Sequence, residues 1–433
     1  MITKMKFEYY CQNIFINYFW LYSISAVFLL LTGFDWIFNI GFPLVIWGML
    51  YKSRTVLVRG NIFDYLWIAN LIWIVFTWII NDYEHQGIII FYTCITHISY
   101  MFVYWIARKS DTNYLTSVIR HSFIPLLITS LLGIYCFIFR PSWYLASIQQ
   151  SAEGAGLAYD ENVFSDMFRL RSIFGDAYSL AYFSAITLIF LCFYIIKGHW
   201  RKESLSPYFL CTLIISLILV SLLCMMRAPM FCAVIGFFFA ITQSQKTSTI
   251  LKVFIVTTVI SFVTYRTIST MVDPVVSDYF VEKIEEVFDD DDDYVDYRFR
   301  LMEVNETLCG DGVGRHSIRA DSYNPGTMLP DGEYMKILAE EGYIGLTMIF
   351  ILFAGGLVYG LKNRQDLYLE ASLLIMLFIC MIGANPLSTA NKHCFIYWLA
   401  LGQIARFFER SNHDINLDTG ERSNQKTEEE VIT

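Results

Sequence analysis

Residues 310–346 read GDGVGRHSIRADSYNPGTMLPDGEYMKILAEEGYIGL. Gly, Asp, Arg and Glu crowd this stretch, whereas the chain around it is mostly Ile, Leu, Phe and Tyr. Its second half has helix formers, and it runs without a break into an apolar block. The stretch therefore reads as a polar loop feeding a membrane helix, the wall of a site on the outer face of a membrane.

The composition agrees. The 433 residues are 56% hydrophobic and 16% charged, with a mean hydropathy of +0.47; a soluble globular chain is about 45–50% apolar and about 25% charged. The excess sits in blocks of roughly 17–22 residues, the length at which a helix crosses a bilayer core. Twelve candidate spans follow, over 14–32, 34–50, 62–80, 88–106, 121–139, 177–196, 207–225, 228–242, 250–268, 343–361, 368–385 and 393–408. The expected fold is an all-α polytopic membrane protein of about twelve transmembrane helices with two long outer-face loops. Residues 1–410 form a single transmembrane domain, and the polar tail 411–433 lacks apolar periodicity, which predicts a disordered cytoplasmic segment.

Lys and Arg set the orientation. Lys4 and Lys6 precede the first span, and every second loop is basic: Lys52, Arg54 and Arg59; Arg108, Lys109 and Arg120; Lys197, Arg201 and Lys202; Lys246 and Lys252; Lys362 and Arg364; Arg406 and Arg410. This alternation puts both termini in the cytoplasm. The outer side then carries loops at about 140–176 and 269–342, the second long enough to fold as a small helical cap. No short apolar core with a small-residue cleavage site opens the chain, which predicts no removable signal peptide. The ten cysteines follow no metal or disulfide spacing and read as apolar packing residues. The net charge of −9 does not suggest nucleic acid as a partner.

Positive charge on the outer side opposes the topology rule and needs a reason. Arg140, Arg169, Arg171, Arg227, Arg298, Arg300, Arg315 and Arg319 all fall there. Arg227, in CMMRAPM, sits where the chain barely leaves the membrane, a costly position unless it pairs or faces water. A guanidinium donates two parallel hydrogen bonds to a phosphate, so a convergent set would hold an anion; each arginine alone is equally served by a loop carboxylate or lipid headgroups.

Three stretches resemble the Wzy-type O-antigen polymerase and O-antigen ligase superfamily. RSIFGDAYSLA, from Arg171, resembles its Arg–x–x–x–Gly segment leading into a span. LCMMRAPM around Arg227 resembles its Ser–Arg segment, with Met226 where a small polar residue is common. DYRFRLMEVNETLCGDGVG and LPDGEYMKILAEEGYIGL resemble its second outer loop and the helix that follows. The likeness covers roughly residues 165–350. It implies a membrane glycosyltransferase of the bacterial cytoplasmic membrane. Such an enzyme joins oligosaccharide repeat units carried on undecaprenyl diphosphate into surface polysaccharide. A flippase and a chain-length regulator would be its partners, and it would use neither cofactor nor metal. Where ligase-like members have a histidine proposed as base, this chain has Asp331, and the nearest histidine, His316, lies fifteen residues upstream.

Under that resemblance Arg171, Arg227, Arg300, Arg169 and Arg315 bind the diphosphate, with Arg298 steadying the charge that grows on it. Asp331 and Glu333 are the candidate proton acceptors. Asp331 after Pro330 is also a good helix N-cap; since Asn caps as well as Asp, Asp331→Asn separates the two roles. GDGVG lacks both a preceding strand and the Gly–Lys–Ser ending of a phosphate loop and reads as a flexible turn. Asp289–Asp293 lacks the spacing of a calcium loop and reads as a solvated acidic run. Histidines 85, 97, 121, 199 and 393 give no ligand spacing. A ligase with another acceptor is the runner-up. A flippase or other transporter would show repeat halves and charges near the bilayer midplane, and a non-catalytic scaffold leaves Arg227 without a reason.

Overall fold

The computed structural model describes residues 2–32, 36–52, 60–145, 170, 172, 177–203, 205–224, 226–242, 255, 259, 307–317, 320, 323, 332–387 and 393–411. The described residues are helical and contain no strand. In chain order they form α1 Ile2–Ile16, α2 Tyr18–Thr32, α3 Trp36–Lys52 and α4 Ile62–Ile80. Then come α5 Gln86–Lys109 and α6 Tyr114–Phe139, α7 Ala177–Ile196, α8 Pro207–Leu223, α9 Arg227–Thr242, α10 Glu333–Lys362 and α11 Tyr368–Gly383. The last, α12, covers 394–411. Five of these, α4, α5, α6, α7 and α10, are long and apolar enough to cross a membrane; shorter apolar helices lie at Tyr18–Phe28, Ile40–Tyr51, Pro207–Leu223 and Tyr368–Gly383. The span expected at 250–268, the helical cap, the acidic run and the tail lie outside the described residues, apart from Ile255 and Val259.

α10 packs against both α4 and α11, and α9 lies between α7 and α11. Aromatic rings fill much of the interior: Phe15, Tyr18, Phe42 and Phe395 from four helices meet with centroids 4.3–6.1 Å apart. Such edge and offset contacts add to the packing that must hold helices together in lipid, where apolar burial from water is absent.

One end of the bundle is closed by charge. Asp64, in the first turn of α4, shares a capping box with Asn61. Its carboxylate takes Arg108 Nε at 3.1 Å and Nη2 at 3.2 Å, and the Tyr104 hydroxyl at 2.5 Å. Arg108 also reaches Glu409 of α12 at 2.5 Å, and the Asn61 amide donates to the Ala405 carbonyl at 2.8 Å. Three helices are pinned together there. The opposite end carries the 307–317 loop.

α10 is two helices in one. Gly342 adopts φ +69° and ψ −172° and breaks it. The nine residues Glu333–Glu341 form a half-helix about 13 Å long. Residues 343–362 follow as a helix of about 30 Å, one bilayer core. A broken helix leaves unpaired carbonyls on one side and unpaired N–H groups on the other, a heavy cost in an apolar interior. The 307–312 segment pairs them. Asp311 N and Gly312 N donate to the carbonyls of Ala339 and Glu340 at 2.8 and 2.9 Å, and Tyr343 N and Ile344 N donate to Thr307 O and Leu308 O at 3.2 and 3.3 Å. The carbonyl of Glu341 accepts Trp73 Nε1 of α4 at 2.8 Å. Backbones this close leave no room for side chains: a Cβ on Gly310 would lie 2.4 Å from the Glu340 carbonyl carbon.

Candidate functional site

The half-helix runs from the end of α11 to the middle of α4. At its start Glu333 N donates to the carbonyl of Ala384, just beyond α11, at 2.9 Å; at its finish Glu341 is bound to α4. Glu333, Lys336, Glu340 and Glu341 are all buried. At positions i, i+3, i+7 and i+8 they follow one face of the helix. Each is costly in an apolar bundle and needs a partner. Glu333 Oε2 accepts Leu387 N–H at 2.9 Å, Glu340 Oε1 accepts His316 N–H at 3.0 Å, and Glu341 Oε2 accepts the Asn70 amide at 3.3 Å. His97, on a π-helical turn over Cys94–Ile98 of α5, is hydrogen-bonded to the backbone of Leu387 and faces Lys336.

Over this floor sits the 307–317 loop. GDGVG is not the flexible turn its glycines suggest. Besides its bonds to the half-helix, Gly310 O accepts the Asn81 amide at 2.9 Å and Val313 O accepts Trp78 Nε1 at 2.7 Å, both from the end of α4. Turns at Arg315 N to Gly312 O and Ser317 N to Gly314 O continue the path. The loop is a platform held by two helices; Gly310 lets it approach the backbone of Glu340, and Gly312 and Gly314 leave room for the side chains of Tyr83 and Thr93.

The platform presents Asp311, Arg315 and His316. His316 Nε2 lies 3.4 Å from Asp311 Oδ2 and Arg315 Nη1 lies 3.8 Å from the same oxygen. The Arg315 guanidinium stands 5.3 Å from the Tyr83 ring centroid, within cation–π range. First the His316 contact and then the Arg315 charge hold the Asp311 carboxyl below its ordinary range, against the opposing effect of burial. Burial and then the Glu340 charge push the Tyr83 phenol up to about 12, with Arg315 opposing them. Tyr83 is thus a hydrogen-bond donor at neutral pH. Its buried hydroxyl has no hydrogen-bond partner among the described residues.

Of the residues predicted from sequence, Glu333 and Arg315 are brought to the same bundle end. Asp331, Arg298, Arg300, Arg171 and Arg169 lie outside the described residues. Arg227 opens α9, but its side chain is likewise outside them. The cap position expected at Asp331 falls on Gly332, whose φ of +148° suits glycine and whose helix start has no side-chain cap. Glu333 is engaged in holding the turn after α11. Sequence reasoning missed Asp311, Tyr83 and Asn70. Asn70 alone left a signal, as an amide inside an otherwise apolar span. No family model, curated protein or solved structure matches the chain.

Proposed function

We propose that this chain is a membrane glycosyltransferase that polymerises oligosaccharide repeat units carried on undecaprenyl diphosphate. In this reading twelve helices cross the bacterial cytoplasmic membrane, both termini are cytoplasmic, and the 307–317 platform faces outward. The observation that carries it is the platform itself: Asp311, Arg315 and His316 held over a charged half-helix at the end of an apolar bundle. A substrate with a lipid tail and a sugar head needs such a boundary, apolar below and hydrogen-bonding above.

Growth of the chain requires a hydroxyl of one lipid-linked unit to attack the anomeric carbon of another. The bond to the diphosphate breaks, and its electron pair leaves with undecaprenyl diphosphate. Fixed cations stabilise that leaving charge. Arg315 suits the role by its fork of donors and its position on the ring of Tyr83. Arg169, Arg171, Arg227 and Arg300 are proposed to complete the diphosphate set, with Arg298 beside the reacting bond. Asp331 and Glu333 remain the proposed carboxylates of the acceptor side, Glu333 also fixing the turn at Leu387. A flippase and a chain-length regulator are the proposed partners.

The test is surface-glycan electrophoresis of a deletion strain. Loss of a polymerase leaves lipid core carrying a single repeat unit. Bare core with polymer accumulating on the lipid carrier would make the chain a ligase, and bare core with no external polymer would make it a flippase.

A further inference from the structure

We propose that the exposed rings of His85 and Tyr323 form a ledge on which a sugar ring of the lipid-linked glycan lies. This deepens the polymerase reading and rests on it for the identity of the ligand. The two rings come from distant parts of the chain, the α4–α5 turn and the segment beyond the platform, and meet with centroids 5.2 Å apart at 39°. Packing has not hidden them: the His85 side chain keeps 46% exposure and Tyr323 keeps 38%.

The turn holds His85 in place. Its φ of +60° and ψ of 17° form a conformation that few residues other than glycine adopt, and strain of this kind collects at ligand sites. Hydrogen bonds enforce it. Gln86 N donates to Tyr83 O at 3.2 Å, and Ile88 N and Ile89 N donate to His85 O at 3.1 and 3.2 Å. The Gln86 amide ties the turn to the carbonyls of Trp78 and Asn81, and the Asn81 amide ties it to the Gly310 carbonyl of the platform at 2.9 Å. The ledge is thereby fixed beside Arg315, whose guanidinium stands 5.3 Å from the ring centroid of Tyr83, two residues before His85.

A sugar ring presents slightly positive C–H bonds on a face, which settles on the negative face of an aromatic ring. Its rim of hydroxyls needs donors and acceptors. The surroundings supply both: Glu84 Oε1 lies 3.5 Å from His85 Nε2, and Arg315 and Asp311 stand on the platform side. Charge selects among occupants. The turn NDYEHQG carries Asp82 and Glu84 and neither Lys nor Arg, which repels anionic lipid headgroups and suits a sugar face. With the diphosphate at Arg315, the glycan it carries passes over the ledge.

The experiment uses the full-length protein in lipid nanodiscs. The probe is the repeat-unit oligosaccharide freed by mild acid from lipid-linked units of the deletion strain, with binding followed by saturation-transfer NMR. Wild type should bind it. Tyr323→Leu keeps apolar bulk without the aromatic face, and His85→Asn tolerates the same backbone; each should raise the dissociation constant about tenfold. Tyr323→Phe, which keeps the face, should stay within about twofold of wild type. Rings that only pack on each other or rest on lipid would leave the affinity of Tyr323→Leu and His85→Asn at the wild-type value, and that result overturns the inference. So does an equal loss in Tyr323→Phe, or a wild type that binds no oligosaccharide. Joining of intact lipid-linked units by the same preparations is the second readout. Ring-dependent binding in a protein that joins no units overturns the polymerase reading and leaves the ledge standing; joining without ring-dependent binding overturns the ledge alone.

Discussion

A Cβ on Gly342 would lie 2.4 Å from the carbonyl of Leu308, so the break in α10 and the loop that seals it were shaped against each other. Gly342→Ala meets two penalties. The +69° φ costs a side chain about 1 kcal/mol or more, and the clash forces apart the bonds from Tyr343 and Ile344 to the 307–308 carbonyls. The expected outcome is a melting temperature lowered by several degrees in detergent and loss of polymer in cells. Gly355→Ala, with its nearest neighbour at 3.6 Å, is the control that should leave both near wild type.

The platform should also weaken in acid. Asp311 has a depressed folded carboxyl pKa, so its contribution is present above the unfolded value of about 3.9 and is lost as pH falls through the folded one. Thermal melts from pH 7 to 3 should show wild type losing more stability below about pH 4 than Asp311→Asn. Parallel curves would contradict the ion contacts around that carboxyl.

At the other end, Asp64 and Arg108 are both almost wholly buried. Asp64→Ala leaves the buried Arg108 guanidinium with Glu409 but without its Nε and Nη2 acceptor, and should cost about 1–3 kcal/mol, read by chemical denaturation in micelles. Restoring stability with the double change Asp64→Leu, Arg108→Met would show that the penalty came from the donors Arg108 had directed at Asp64.

The thiols of Cys232 in α9 and Cys380 in α11 lie 3.3 Å apart, and both are buried. Copper phenanthroline should join them, seen by mass spectrometry as a linked peptide pair that Cys232→Ser abolishes. Finding both thiols alkylated after oxidation would contradict the packing of α9 on α11.

Hydropathy reads the long helices well, because a bilayer demands about twenty apolar residues in a row. Spans 62–80 and 177–196 coincide with α4 and α7. The break at Gly342 was not legible: one glycine in a helical pattern is tolerated, and the groups that seal it come from Thr307–Gly312 and from Trp73, some 30 and 270 residues away. The same distance hid the floor of the site. Glu340 and Glu341 look like an ordinary helix start until Asn70 and His316 are seen to hold them. Asp311 and His316 fit no regular spacing, since a sequence of turns brings them together. The outer arginines on which the sequence reading leaned lie outside the described residues, save Arg140, Arg315 and the backbone of Arg227.

The central claim is that this chain lengthens a lipid-linked glycan by whole repeat units. The direct measurement is the mass spectrum of the lipid-linked glycans after purified protein in nanodiscs is incubated with single lipid-linked repeat units alone. The account predicts a ladder spaced by one repeat-unit mass, with one undecaprenyl diphosphate released per step. Repeat units that stay single while the carrier stays loaded would contradict it.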